Sequence, residues 1–335
     1  MQLRQLGKSG LWVSELGLGS LTFGGQLSAW DARQVMDQFL HEGGNLIDTA
    51  NGYQRGAAEE IIGQWLLDGG HRPFMLISSK TYAPEDRTPN HRGLSRHAIL
   101  YSVEQSLRRL QTDYLDIYAP HYWDQHAPLE EILRALEWLI QQGKVRYIAC
   151  SNYLSWQLMK ALSLQELRGW SPFIAMHGQY SLIERGIERE TLPLLAAEGL
   201  SLLAWSPLAG GFLSAKHPYG KPLDEKTRLG MEQSLWSPRY RAQALNERGW
   251  AIVEEVRLIA RETGRQPAQI ALQWVLERPQ VASVLMGASK IAQIDELLAS
   301  RTQRLSLHDH TRLEEISAIE LGYPGNSSAW AEDIQ

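Results

Sequence analysis

Three short apolar runs in this chain stop at polar residues that together make a proton-transfer set. Asn45-Leu46-Ile47 ends in Asp48 and turns through Gly52 to Tyr53, Phe74 to Ser79 stops at Lys80, and Tyr114 to Pro120 stops at His121. Near-continuous apolar runs read as strands buried on both faces, and in a closed parallel barrel the C-terminal strand ends share one mouth. A phenol, with a reference pKa of ~10, is a poor acid at neutral pH, but a nearby cation stabilises its anion and brings the value down. Lys80 is expected to supply that cation, Asp48 to keep it charged and oriented, and His121 to place a carbonyl oxygen beside the Tyr53 phenol. None of these groups attacks carbon. The missing reactant is a hydride, which no side chain carries, so a nicotinamide cofactor is implied.

In order and spacing, Asp48, Tyr53, Lys80 and His121 resemble the catalytic tetrad of the aldo-keto reductase superfamily. The similarity runs from Leu16-Gly17-Leu18-Gly19 to Gly287-Ala288-Ser289-Lys290. Within it, Trp205-Ser206-Pro207-Leu208-Ala209-Gly210-Gly211 and Gly287-Ala288-Ser289 are most similar to one branch of the superfamily. That branch holds the potassium-channel β-subunits and bacterial aldehyde reductases such as the glyceraldehyde-phosphate reductases. A Tyr or Lys at a strand end is, taken singly, more often a surface anchor; four in register with the later motifs reverse that weighting. The resemblance implies NADPH-dependent reduction of an aldehyde or ketone with Tyr53 as general acid, or a cofactor-binding regulatory subunit with little turnover. A metal hydrolase built on Asp48, His121 and His126 is a third reading, and its spacing gives no compact ligand motif.

The same resemblance distributes the cofactor along the chain. The turn holding Thr22 and Phe23 lies beside the nicotinamide with Asp48, and Ser151 and Asn152 hydrogen-bond its carboxamide; the alternative for that pair is an N-cap of the next helix. Trp205 stacks on the ring, although with twelve Trp in the chain a core Trp is the rival. Ser206, Pro207, Leu208 and Gly210 form the pyrophosphate turn, Lys216 and Arg228 reach phosphate, and Gly287, Ser289, Lys290, Gln293 and Glu296 form the adenosine end. The company of cations favours NADPH over NADH, because a 2′-phosphate needs charge-assisted donors. Two positions depart from the family pattern: His177 stands where many relatives carry a Gln for the carboxamide, and Leu297 where an Asn commonly follows the adenine-contacting Glu. Phe23, Tyr82, Tyr122, Trp123 and Trp236 are candidate substrate walls. Arg87, His91 and Arg92 suit an anionic substrate, with solvated surface charge as the plainer account.

What must position these residues is legible as alternating periods. Strand character at 15–19, 45–48, 74–79, 114–119, 144–150, 173–177, 200–205 and 281–286 is interleaved with helical spacing at 31–43, 57–67, 95–109, 128–141, 155–168, 188–198, 246–263, 267–277 and 290–299. Eight strands each followed by a helix predict an α/β fold, a (β/α)8 TIM barrel, over one domain of residues 1–335. A doubly wound sheet is weaker, since no Gly-x-Gly-x-x-Gly follows the first strand. Residues 2–14, centred on Gly7-Lys8-Ser9-Gly10, predict an N-terminal hairpin capping the bottom of the barrel. Two insertions, 81–94 and 207–245, predict long loops at the C-terminal mouth, where long loops tend to be functional. A last helix at 308–320 precedes a tail expected to be mobile from about 322.

Composition narrows the partners. With 335 residues, 44% of them apolar, the chain can bury a large core, and its net charge of -5 carries no basic footprint for nucleic acid or membrane. Cys150 is the only cysteine, which excludes an internal disulfide and fits a reducing compartment; its strand-end position reads as a buried small residue. The start of the chain lacks a signal peptide's apolar core, and no run of about 18 apolar residues exists, so a cytoplasmic protein is expected.

Overall fold

The computed structural model of the protein describes residues 1–225, 227–231, 237–302 and 304–325. Strands β1 (Leu3–Gln5) and β2 (Trp12–Ser14) pair antiparallel as the predicted hairpin. The remaining strands are β3 (Leu16–Gly19), β4 (Leu46–Asp48), β5 (Leu76–Thr81), β6 (Leu115–Pro120), β7 (Val145–Ser151), β8 (Phe173–Gln179), β9 (Ser201–Trp205) and β10 (Val281–Met286). They close a parallel barrel in the order β10-β3-β4-β5-β6-β7-β8-β9, the predicted fold.

The helices are α1 (Ala29–His41), α2 (Ala57–Asp68), α3 (Arg96–Leu110), α4 (Leu129–Gln141), α5 (Ser155–Arg168), α6 (Thr191–Glu198), α7 (Ser237–Ala244), α8 (Glu247–Thr263), α9 (Pro267–Leu276), α10 (Ile291–Leu298) and α11 (Leu307–Ser317). Side-chain caps fix several starts: Ser28, Ser95, Asn246 and Ser306 each accept a backbone N–H of the first turn. Most predicted boundaries shift by a turn or less. The strand expected from Phe74 begins instead at Leu76, because Arg72–Phe74 form a 3-10 turn around Pro73 that leaves Phe74 exposed. Lys80, expected just past that strand, lies within it. Helix α7 lies inside the 207–245 insertion and has no apolar stripe to announce it.

Two apolar layers follow from strand periodicity. Residues facing outward pack on the helices, while Leu46, Ile117, Ala119, Ala149, Ala175 and Leu203 face the barrel axis in a second cluster. The hairpin plugs the bottom of that inner layer with Leu6 and Val13, both fully buried. Burying one Leu of this kind contributes about 1.5–3 kcal/mol. Arg4 fastens the plug, donating to the carbonyl oxygens of Leu276 (2.7 Å) and Val281 (2.9 Å) and to Glu15. Among the described residues no helix is long and apolar enough to cross a membrane. Trp236 and the tail beyond 325 lie outside the described residues.

Candidate active site

Side chains two apart on a strand share a face, and that rule assembles the site. Counting by two from inward core residues leads from Leu46 to Asp48, from Leu76 through Ser78 to Lys80, and from Ile117 through Ala119 to His121. It also leads from Ala149 to Ser151, from Ala175 to His177, and from Leu203 to Trp205. The small side chains of Ala119, Ala149 and Ala175 sit below these polar groups. Tyr53 comes from outside the barrel walls, on the short 3-10 turn Tyr53–Gly56 after β4. That turn holds Gln54 and Arg55 at φ 48° and 58°, an uncommon conformation for residues other than glycine, and then Gly56 at φ 96°.

Asp48, Tyr53, Lys80 and His121 line one cavity of about 510 Å3. Lys80 Nζ donates to Asp48 Oδ2 at 2.6 Å and to the Thr49 carbonyl at 2.9 Å, and lies 5.5 Å from the centre of the Tyr53 ring. The Tyr53 and His121 rings meet edge-on at 5.9 Å, and His121 stacks on Tyr122 at 4.7 Å. Asn152, at φ 58°, donates from its amide to the carbonyl oxygen of His121 at 3.0 Å and to Ser151 Oγ, so it anchors the strand end that carries His121.

Charge in this site is controlled by burial. Burial opposes the Asp48 carboxylate, but the Lys80 ammonium and His177 outweigh it and hold the group well below the usual carboxylate range. Burial pulls Lys80 down against the lift from Asp48. It also pushes His121 down to about 3, with Lys80 as second cause, so the imidazole is neutral at neutral pH. The expected lowering of the Tyr53 phenol is not found. Burial around the phenol, then the Asp48 carboxylate, Tyr122 and Tyr240, raise it well above its ordinary value, and Arg228 is the opposing cation. Burial is the largest cause, and Lys80 offers little to offset it because it is matched by a carboxylate at 2.6 Å; a neutralised pair acts on a third group as a dipole, not as a free charge.

A polar network behind the cavity joins the segments on either side of Tyr53 and Lys80. Asn51 donates to the Ala83 carbonyl and to Glu85 Oε1 at 2.8 Å. Glu85 pairs with Arg109 at 2.8 Å, Arg109 with the fully buried Glu59 at 2.8 Å, and Glu59 accepts from Ser79 Oγ at 2.6 Å. Ser79, one residue before Lys80, therefore faces the helices while Lys80 faces the barrel axis.

The cavity continues past the tetrad along Thr22, Ser151, Asn152, Trp205, Ser206, Pro207, Leu208, Gly210, Lys216, Arg228, Gly287, Ser289, Lys290, Gln293 and Glu296. These residues fit an extended, multiply anionic cofactor on three observations. A β-carbon built at Gly211 or Gly287 meets no atom within 4 Å, leaving open room at both ends of the wall. Lys216, Arg228 and Lys290 bring cations to the same wall. Between them the chain runs through positive φ at Ser206, Ala209, Gly210 and Gly211, the kind of turn whose backbone N–H groups converge on anions. Ser289 donates to Gln293 Oε1 from its N–H at 2.8 Å and from its hydroxyl at 3.2 Å, which ties that loop to the start of α10.

Two residues expected at the cofactor are placed elsewhere. Phe23 is fully buried in the outer core, because the Thr22 hydroxyl bonds the Ala288 carbonyl at 2.7 Å and Phe23 pairs back to Leu27. His177 is also fully buried, against Asp48 and behind the cavity wall. Of the substrate-wall candidates, Tyr122 lines the cavity, whereas Tyr82 and Trp123 are not on its wall. Arg87 and Arg92 are exposed away from it, and His91 pairs with Asp86 and stacks on Tyr101. Tyr240 of α7, hydrogen-bonded to Ser206, lines the cavity and was missed, as were His217 and Asp224. They lie in the long insertion, where no periodic or motif signal marks them. Among the described residues no group of three His, Cys, Asp or Glu side chains can hold a metal ion, and His126 is outside the cavity wall.

A profile of the Aldo/keto reductase family matches residues 15–318. The chain is similar to "Uncharacterized oxidoreductase YrpG" of Bacillus subtilis (strain 168), at 35% identity over 89% of this chain and 90% of that protein. It is also similar to two proteins named "Probable voltage-gated potassium channel subunit beta". The one from Oryza sativa subsp. japonica is 36% identical and the one from Arabidopsis thaliana 35%, each over 88% of this chain and 90% of that protein.

Proposed function

The chain belongs to the aldo/keto reductase family, and on that premise we propose that it reduces aldehydes or ketones to alcohols with NADPH, Tyr53 acting as general acid. The observation that carries this reading is a buried Lys80–Asp48 pair beside the Tyr53 and His121 rings on the wall of one cavity. NADPH, when bound, supplies the hydride that no side chain carries. Trp205, Ser151 and Asn152 would hold its nicotinamide end, the turn from Ser206 to Gly211 with Lys216 and Arg228 its phosphates, and Ser289, Lys290, Gln293 and Glu296 its adenosine end.

The chain's own groups then handle one proton. His121 is neutral and donates an N–H to the carbonyl oxygen, which orients the substrate without competing for a charge. Tyr53 holds its proton firmly until negative charge builds on that oxygen, and then gives it up from its hydroxyl. The phenolate left behind forms next to Lys80, whose ammonium Asp48 keeps charged in a buried setting. A positioned acid of this kind contributes about 10²–10⁴-fold to rate. In alcohol oxidation the same groups run in reverse, with Tyr53 as base.

Tyr53→Phe removes the proton and little else. In a panel of aldehydes followed by NADPH consumption, kcat should fall by about 10²-fold or more while NADPH titration by fluorescence is unchanged. Equal rates in the two proteins would remove Tyr53 from the role. No turnover in the wild type, together with tight NADPH binding, would favour a cofactor-binding regulatory subunit; two relatives are named as probable channel subunits. A parallel titration with NADH reads the cofactor preference.

A further inference from the structure

His177 sits on the inward face of β8, two residues beyond Ala175, and no part of it is exposed. Its Nε2 lies 3.0 Å from Asp48 Oδ1 and 3.3 Å from Ser78 Oγ, and its Nδ1 lies 3.4 Å from the Cys150 carbonyl oxygen. Ser78 Oγ donates to the same Asp48 oxygen at 2.8 Å, while the other oxygen holds Lys80. We propose that His177 is a positioning residue for carbonyl reduction: its Nε2–H grips Asp48 and so fixes the carboxylate that orients Lys80 beside Tyr53. This inference rests on the reductase reading above.

A carboxylate held by one lysine alone can turn about its Cγ bond, and the lysine turns with it. Donors on the second oxygen stop that rotation. They also satisfy lone pairs that would be costly to leave bare in a dry interior. The tautomer follows from the neighbours. Burial disfavours a charged ring at His177, a neutral imidazole has one N–H, and the stronger and closer acceptor is the carboxylate at Nε2. A neutral donor also leaves the Asp48–Lys80 pair without net charge, which a second buried cation would upset.

There is a consequence for Lys80. Asp48 shares its charge among Lys80, Ser78 and His177, so its pull on the ammonium is weaker than that of a carboxylate bound to lysine alone. Removing the His177 donor should tighten the pair and raise the pKa of Lys80. The titratable groups that face His177 are Asp48 from β4, Lys80 from β5 and His121 from the end of β6. Cys150, from β7, is kept as a neutral thiol by burial.

The test compares wild type, His177→Ala and His177→Gln as holoenzymes, since a glutamine Nε2 can stand where the imidazole Nε2 stands. His177→Ala is expected to lose about 10-fold in kcat, within the cost of a small misplacement. KM for NADPH and aldehyde should change less than 2-fold, and the alkaline limb of the kcat profile should move to higher pH; His177→Gln should restore both. A rise in NADPH KM in His177→Ala with an unmoved limb would overturn the proposal in favour of direct cofactor contact. Nitrogen-15 NMR of the wild-type histidines needs neither turnover nor a variant. A neutral ring protonated at Nε2 supports the proposal and protonation at Nδ1 alone sinks it, whatever becomes of the reductase reading.

Discussion

Tyr53 keeps its proton because burial, the Asp48 carboxylate and two neighbouring phenols all oppose its anion. In a reductase the acid must arrive protonated, so a raised phenol is suited to the reductive direction and works against the reverse one. Lys80 is the group that titrates first on the alkaline side, since burial lowers it. A group required in its protonated form loses activity as pH rises through its pKa. The reduction rate is therefore expected to fall on an alkaline limb that lies below the ordinary lysine value of about 10.4. His121 is needed neutral and is pushed down to about 3, so no acidic limb should appear near the ordinary histidine value of about 6.5. A kcat/KM profile with saturating cofactor checks both, and a bell centred on a histidine inflection would contradict the assignment of His121 as a neutral donor.

At the scale of elements, the barrel supplies directions but not the stiffness of the loops on its rim. The turn Tyr53–Gly56 holds two left-handed non-glycine residues, a conformation that persists only where its surroundings hold it. Arg109 of α3 is what surrounds it: it bridges Glu59 at the start of α2 with Glu85 in the first insertion, and its side chain packs against Gly56. Removing it leaves Glu59 buried with its Ser79 hydrogen bond but without its ion-pair partner. Arg109→Ala should lower stability by about 3–5 kcal/mol in urea denaturation and reduce kcat through the loosened Tyr53 turn. Arg109→Lys keeps the charge but not the fork, so it should recover only part of each. A wild-type unfolding midpoint in Arg109→Ala would show that the network is not what holds this rim.

For the whole molecule, α11 closes the chain onto the barrel's outer layer with the fully buried Leu313 and a set of polar contacts centred on Glu314. Glu314 accepts from the Trp274 indole N–H at 2.7 Å, from Arg185 at 2.7 Å and from Arg278. Arg185, itself buried, also pairs with Glu188 and bonds Ser317. Glu314→Ala removes the carboxylate that accepts from the Trp274 indole, pairs with Arg278 and is one of several partners of Arg185. It should cost about 1.5–3 kcal/mol, the range for a lost hydrogen bond to a charged group. The active-site residues lie elsewhere, so activity at low temperature should survive while thermal unfolding comes earlier. Loss of activity without loss of stability would instead tie α11 to the site.

The sequence by itself determined the barrel and most of the cavity wall. Near-continuous apolar runs alternating with helical spacing mark where the strands lie. The family resemblance picks out the wall residues, of which Asp48, Lys80, His121, Ser151 and Trp205 all fall on the inward parity of their strands. Tertiary structure decided what no local pattern encodes. The direction of the Tyr53 shift depends first on how deeply folding buries the phenol and then on the Asp48 carboxylate brought beside it, both set by segments distant along the chain. Phe23 and His177 have side chains that could serve a ligand equally well; one is turned into the outer core by the hydrogen bonds around it, the other against Asp48. Tyr240 reaches the cavity from an insertion with no periodic signal, and Arg109 reaches the Tyr53 turn from some fifty residues away. Parity is local and can be counted along a chain, whereas pairing, burial and charge balance are sums over neighbours that only folding supplies.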